Sequence, residues 1–325
     1  VIHTRICDAL RIARPIVLGG MGSGTSAKLV AAVSNAGCFG TLGTSGLGGA
    51  EIAAAAQAIR DLTDKPFGIN HLLFRISEDA YAGTLAARPD VVAFAWARQD
   101  QDLRGYFKRA HDAGAKVMHM AGDVPEAIRA VEAGADIIVA QGTEGGGHVG
   151  WMASMVIVPM IVSAVAPVPV LAAGGIADGR GLVASLALGA DGVLLGTRFL
   201  ATVEAPIHEN FKQAIVKSDG HDTVLTEIHD IASGHVWPGA MARVQRNRFI
   251  DRWSGQEWAL RRNRPEVEKA LAAARRAGDV DNATLLFGQD AGLIDSIAST
   301  ADVVARMVAE AEEILRRRLP QTLRD

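Results

Sequence analysis

The chain has 325 residues and a formal net charge of −3, so its charge gives no reason to expect nucleic acid or a membrane surface as partner; a small metabolite is the expected one. Its 49% hydrophobic content, with only 5% aromatic residues and 35 glycines, comes mainly from Ala, Val, Ile and Leu, which suits buried parallel strands. Cys7 and Cys38 are too few for a disulfide framework, VIHTRICDAL lacks a signal-peptide layout, and no run of about 18 apolar residues is uninterrupted, so the expected location is the cytoplasm.

Along the chain, apolar runs of strand length alternate with Ala-rich helical stretches, the pattern of βαβ units. The run Pro15–Gly20 leads to a helix over Ser26–Ala36, and Phe39–Thr44 to one over Ala50–Asp61. Phe67–Leu73 precedes a helix over Ser77–Ala87, Val91–Ala97 one over Gln101–Ala113, and Ala115–Ala121 one over Val124–Ala133. Asp136–Gln141 is followed by a glycine-rich loop and a helix over Met155–Ala166, and Val168–Gly175 by a helix over Asp178–Leu188; Gly192–Phe199 closes the series. Gly37, Gly114, Gly134 and Gly189 stand where helices should end. Ala-Gly-Ala recurs before strands at Ala113–Ala115 and Ala133–Ala135, with the related Leu188–Ala190, which marks a repeat of one βα unit. Eight such units predict an α/β fold closed as a (β/α)8 TIM barrel, with a doubly wound open sheet as the alternative.

After Phe199 the texture changes. Trp237–Pro238, the basic run Arg243–Arg248, the pair Arg261–Arg262 and the charged stretch Pro265–Ala277 predict a helical extension or lid over 204–288. Residues 1–203 together with 289–325 then form the barrel and a charged helix that packs back on it.

Ligands of parallel α/β folds bind at the carboxyl ends of the strands, and glycine concentrates there: Gly19–Gly24, Gly142–Gly150, Gly174–Gly175 and Gly196–Thr197. Bare backbone approaches a phosphate closely, and glycines after the seventh and eighth strands match the usual barrel phosphate site, so Gly174, Gly175, Gly196 and Thr197 are phosphate candidates. Plain turn glycines are the alternative. Gly22–Ala27 fits G-x-G-x-x-A, but Leu42, Gly43, Thr44 and Ser45 stand where a dinucleotide site needs an acidic residue.

The sharpest signal is the loop Gly142–Gly150, where Glu144 and His148 lie among glycines directly after a strand. An imidazole there is placed to act as a base, to steer an anion or to donate a hydrogen bond. His71 and His119 fall in strands, where a core or pocket-wall role is equally open. His208, His221, His229 and His235 make no metal-ligand spacing, so no metal is expected, and no G-x-S-x-G elbow marks a serine hydrolase.

PIVLGGM at Pro15–Met21, GTEGGGHVG at Gly142–Gly150, PVLAAGGIADGRG at Pro169–Gly181, LGADGVLLGTRFL at Leu188–Leu200 and GQDAGLI at Gly288–Ile294 together resemble the nitronate monooxygenase (2-nitropropane dioxygenase) family. The resemblance implies an FMN-binding TIM barrel. Gly20 and Met21 would lie beside the flavin ring, with Asn70 after the third strand and Gln141 at the end of the sixth; Gly174, Gly175, Gly196 and Thr197 would surround the phosphate. Gly22, Gly145, Gly146 and Gly147 complete the expected cofactor-binding set. The family's active-site histidine matches His148, which would orient a nitronate or deprotonate a nitroalkane. The first strand ends Gly-Gly-Met where many members have Ala-Pro-Met, and Met120 stands where some relatives place a lysine.

The implied reaction is oxidation of alkyl nitronates with O2 to carbonyl compounds and nitrite. Relatives that reduce an enoyl thioester (acyl-ACP or acyl-CoA) or a quinone with NAD(P)H through FMN supply the alternative. In that case Arg243, Arg246, Arg248, Arg261 and Arg262 could hold a CoA or nucleotide phosphate, against the plainer reading of a solvated helix face. A non-catalytic flavin-binding protein is the third reading. Homodimerisation is compatible with any of them.

Overall fold

The computed structural model describes residues 2–323. Eight parallel strands form the main sheet: β1 (Ile16–Leu18), β2 (Gly40–Gly43), β3 (Phe67–Leu72), β4 (Val91–Ala95), β5 (Lys116–Ala121), β6 (Ile137–Gln141), β8 (Val170–Ala173) and β9 (Gly192–Leu195). A short strand, β7 (Gly147–Val149), lies inside the glycine-rich loop. The order in the sheet is β1-β9-β8-β6-β5-β4-β3-β2, and the two end strands meet. The Leu18 N–H donates to the Phe39 carbonyl at 2.8 Å and the Phe39 N–H to the Ile16 carbonyl at 3.0 Å, so the sheet closes on itself. This closure makes the fold a barrel and removes the open doubly wound sheet from consideration.

The period-2 alternation of strands assigns the two faces. Val17, Val91, Ala93, Ile137, Val139 and Leu171 point inward and pack together in the barrel interior. Their neighbours Ile16, Leu18, Val92, Phe94, Ile138 and Ala140 face outward and pack beneath the surrounding helices. The helix Arg5–Leu10, which sequence reading missed, places Ile6, Cys7 and Leu10 against the inward residues at the strand starts and so plugs the bottom of the barrel.

Helix starts follow local chemistry. Ser26, Ser77, Asp102, Asp123 and Asp178 each accept a backbone N–H from the first turn of the following helix. Two predicted strands end early. The seventh run stops at Ala173 because Gly174 and Gly175 turn the chain with φ of 94° and 74°, and the eighth stops at Leu195 because Thr197–Leu200 is already helical. The helix Thr300–Glu313 returns to the barrel, burying Val304, Met307 and Ala311 in the outer core.

Segment 204–288 is not helical throughout. It carries β10 (Thr223–Thr226) and β11 (Met241–Gln245), which pair antiparallel, and β11 pairs in turn with β7. Ala242 and Val244 alternate with polar neighbours on β11 and are fully buried in a separate apolar cluster with Ile228, Phe249, Trp253 and Leu260. That cluster explains why the basic run is strand at its start. Among the described residues no helix is long and apolar enough to cross a membrane.

Candidate active site

All thirteen expected site residues line one cavity of about 730 Å³ at the carboxyl ends of the barrel strands, walled on its other side by residues of 204–288. Asn70 lies inside β3 rather than after it, and Thr197 opens a helix instead of ending a strand. The glycines are sites of close approach. A Cβ on Gly20 would fall 2.4 Å from the Asn70 Cβ, and one on Gly146 would fall 2.4 Å from the Gly288 nitrogen. On Gly174 it would fall 2.6 Å from the Gly142 carbonyl oxygen.

The cavity wall combines bare glycine backbone at Gly20, Gly146 and Gly174 with the apolar side chains of Met21, Leu194 and Phe211, which fits a ligand that has a phosphate and a flat apolar body. A flavin with its phosphate has that chemistry.

His148 is held by groups from both halves of the chain. β7 carries it opposite Ala242 of β11. Its Nε2 lies 2.7 Å from Asp230 Oδ1 on the helix Ile228–Ser233, and both side chains are only 8% exposed. A carboxylate only accepts, so Nε2–H donates to Asp230 and the neutral ring keeps its lone pair on Nδ1. The indole of Trp237 stacks on the imidazole, with centroids 3.3 Å apart and planes at 10°, and itself touches Phe74 and Trp96. His229 lies 6.0 Å from His148, and its Nδ1 is 2.9 Å from Thr284 Oγ1. Burial pushes His229 down to about 3, so it is neutral and serves as wall.

The loop around His148 has its own brace. The Glu144 carboxylate accepts the Ser154 N–H at 2.9 Å and the Ser154 hydroxyl at 3.0 Å, at the start of the helix Ser154–Val165, where a negative charge is favoured by the helix dipole. Glu144 therefore fixes the loop.

The remaining candidates separate cleanly. His71 is core: it lies between Thr44 at 3.1 Å and Thr84 at 2.7 Å, and burial pushes it down to about 4. His119 is fully buried, 3.1 Å from Glu126. The basic residues do not converge on a phosphate site, and none of Arg243, Arg246, Arg248, Arg261 or Arg262 lines the cavity. Arg243 donates to the Thr143 carbonyl at 3.0 Å and braces the loop, while Arg246 and Arg248 pair with Asp251 and Asp281 on the surface. Sequence reading missed Asp230. Trp237 stood out only as part of a Trp-Pro pair, and nothing local marks Asp230 as a partner for a residue 82 positions away. Among the described residues no group of three or more His, Cys, Asp or Glu is placed to hold a metal ion.

Comparison with known proteins adds to this geometry. The family model described as nitronate monooxygenase matches residues 3–87 and 77–310. A (3aS,4S,5R,7aS)-5-hydroxy-7a-methyl-1-oxo-octahydro-1H-indene-4-carboxyl-CoA dehydrogenase of Mycobacterium tuberculosis is 33% identical, over 95% of this chain and 96% of its own. The structure of FabK from Thermotoga maritima superposes with a TM-score of 0.89 at 33% identity, covering 99% of this chain and 100% of that one. A nitroalkane oxidase from Streptomyces ansochromogenes superposes with a TM-score of 0.82 at 26% identity, covering 95% and 98%.

Proposed function

Since the chain belongs to the nitronate monooxygenase family, we propose that this oxidoreductase binds FMN and oxidises alkyl nitronates with O2 to carbonyl compounds and nitrite. The observation that carries the reading is the buried His148–Asp230 pair, 2.7 Å apart on the wall of a glycine-lined cavity. A nitroalkane is a carbon acid whose conjugate base is the nitronate, so a base held against a carboxylate supplies the anion. Nδ1 of His148 removes the α-proton of a neutral nitroalkane, and Asp230 stabilises the imidazolium that results. With a preformed nitronate the protonated ring pairs with the anion and orients it.

Gly20, Met21, Gly22, Asn70 and Gln141 would hold the flavin ring, with Gly145, Gly146 and Gly147 closing over it. Gly174, Gly175, Gly196 and Thr197 would hold the phosphate. When bound there, FMN supplies the electron acceptor. Segment 204–288 would act as a lid that keeps bulk water from the pair.

A second reading is favoured by the similarity to a carboxyl-CoA dehydrogenase. The proton α to a thioester carbonyl is also acidic, and the same pair would serve an enoyl or acyl thioester, with NAD(P)H as the other redox partner in the reductive direction. Anaerobic mixing of the yellow protein with propyl nitronate, NADH and NADPH in parallel separates the two. Rapid bleaching by propyl nitronate, with nitrite formed when oxygen is readmitted, is the expected result; bleaching by a nicotinamide alone would replace the first reading with the second.

Trp237 gives a further expected outcome. It roofs the imidazole and joins Phe74 and Trp96 in an aromatic wall, so Trp237→Ala lengthens the space beside His148. The ratio of kcat/KM for hexyl over ethyl nitronate should rise by about tenfold, the scale set by filling an apolar pocket with added methylenes. Steady-state kinetics over the homologous series checks it.

A further inference from the structure

The helix Ser154–Val165 is apolar on both faces. Ile157, Val158, Ile161 and Val165 pack inward on the barrel, at the spacing of one helix face. Met155, Val156, Pro159 and Met160 form a second stripe on the opposite face, and there Met155, Val156 and Met160 are 69%, 49% and 45% exposed. Trp151, two residues before the cap Ala153, adds an indole that is 66% exposed. The helix contains no ionisable side chain, whereas every other helix that follows a barrel strand carries at least one. A helix that is apolar all round belongs inside a structure, yet one face of this helix is bare.

Side chains of this size, exposed to this degree, leave on the order of 500 Å² of apolar surface, at the upper end of what a monomer shows in one patch. With a polar rim, that approaches the roughly 800 Å² that each partner of a stable dimer buries. The charge pattern selects the occupant. A helix that lies on a membrane carries Lys or Arg beside its apolar face, and this helix has neither. In a two-fold contact each patch meets its own copy, so any charge near the axis would face its like; a stripe without charge meets itself at no such cost. Methionines suit the contact because their unbranched chains fill irregular gaps.

We propose that the face formed by Trp151, Met155, Val156, Pro159 and Met160 is a homodimer interface, in which this helix packs against the same helix of a second copy of the chain. The contact bears on the active-site loop whatever the substrate is. Ser154 opens the helix and is bound by Glu144, and Trp151 lies three residues after His148, so the interface holds the segment that joins β7 to the helix.

Sedimentation velocity of the full chain from about 0.1 to 100 μM tests the proposal. A dimer is expected over most of that range. Met155→Glu combined with Met160→Glu should raise its dissociation constant by at least about 100-fold, because each carboxylate would be buried against an apolar stripe and near its own copy. Both positions are exposed in the single chain, so the circular dichroism spectrum should stay unchanged while the dimer is lost. A second measurement is independent of that variant. A short bis-maleimide should link Val156→Cys into dimers but not Leu62→Cys, which is 53% exposed in the turn after the helix Gly49–Arg60. The native Cys7 and Cys38 are buried and give little background. A monomer at every concentration, a dimer that survives in the folded double variant, or linkage at Leu62→Cys alone would overturn the interface. Capture of a monomer by phosphatidylcholine–phosphatidylglycerol vesicles would also overturn it, and would assign the face to a lipid surface.

Discussion

Replacing His148 by Asn should lower kcat/KM for neutral nitroethane by about 10³-fold while costing the preformed nitronate about tenfold at most, because only the first needs a general base. Asn places its amide where Nδ1 was and stops short of Asp230, so the nitronate, which needs no proton removed, is the control that separates lost proton transfer from collapse of the site. Asp230→Asn should show the same asymmetry at smaller size, roughly 10²-fold on the nitroalkane, since the ring stays in place but loses the charge that steadies its protonated form. On the proposed mechanism Asp230 acts through His148 as a positioning residue, so for the nitroalkane its loss should fall on kcat more than on KM. Equal losses on both substrates in either variant would mean that the histidine binds rather than deprotonates.

Gly174→Ala is the second large expected effect. Two separate costs meet at this position: φ is 94°, and the new methyl would sit 2.6 Å from the Gly142 carbonyl oxygen, which is backbone and has little freedom to withdraw. A left-handed non-glycine residue and an overpacked contact together amount to roughly 2–6 kcal/mol. Gly255 is the control, with φ of 73° and open space where the methyl would go. Gly255→Ala should cost only about 1–2 kcal/mol. Urea unfolding of the two variants measures the difference, and loss of yellow colour on purification of Gly174→Ala would report the cradle directly.

The barrel was legible because every strand carries its own evidence. Inward and outward apolar residues alternate within Val91–Ala95 and Ile137–Gln141, and a capping Ser or Asp opens the next helix in five places. The glycine-lined cavity was legible for a related reason, because a Cβ at Gly20, Gly146 or Gly174 has no room. The helix Arg5–Leu10 escaped notice because Thr4 makes no capping hydrogen bond and six residues show almost no period; its apolar face has meaning only against the barrel floor. β10 and β11 could have been read from TVLT and from the alternation in MARVQ, but the charges of Arg243, Arg246 and Arg248 drew the eye toward a helix face. Asp230 was beyond reach in principle. Its pairing with His148 is created by the β7–β11 ladder, which joins segments nearly a hundred residues apart.

That ladder has an evolutionary meaning. The glycines proposed to cradle the electron carrier lie almost wholly on barrel loops, whereas His148 and Asp230, the pair proposed to handle the proton, meet only where a barrel loop and segment 204–288 share a sheet. On the proposed mechanism, changes in 204–288 would alter which carbon acid is deprotonated, and how large it is, without touching the cradle. One scaffold can then diversify its substrates by rewriting an insertion, provided that each new insertion supplies a strand to lean on and a carboxylate for the same imidazole.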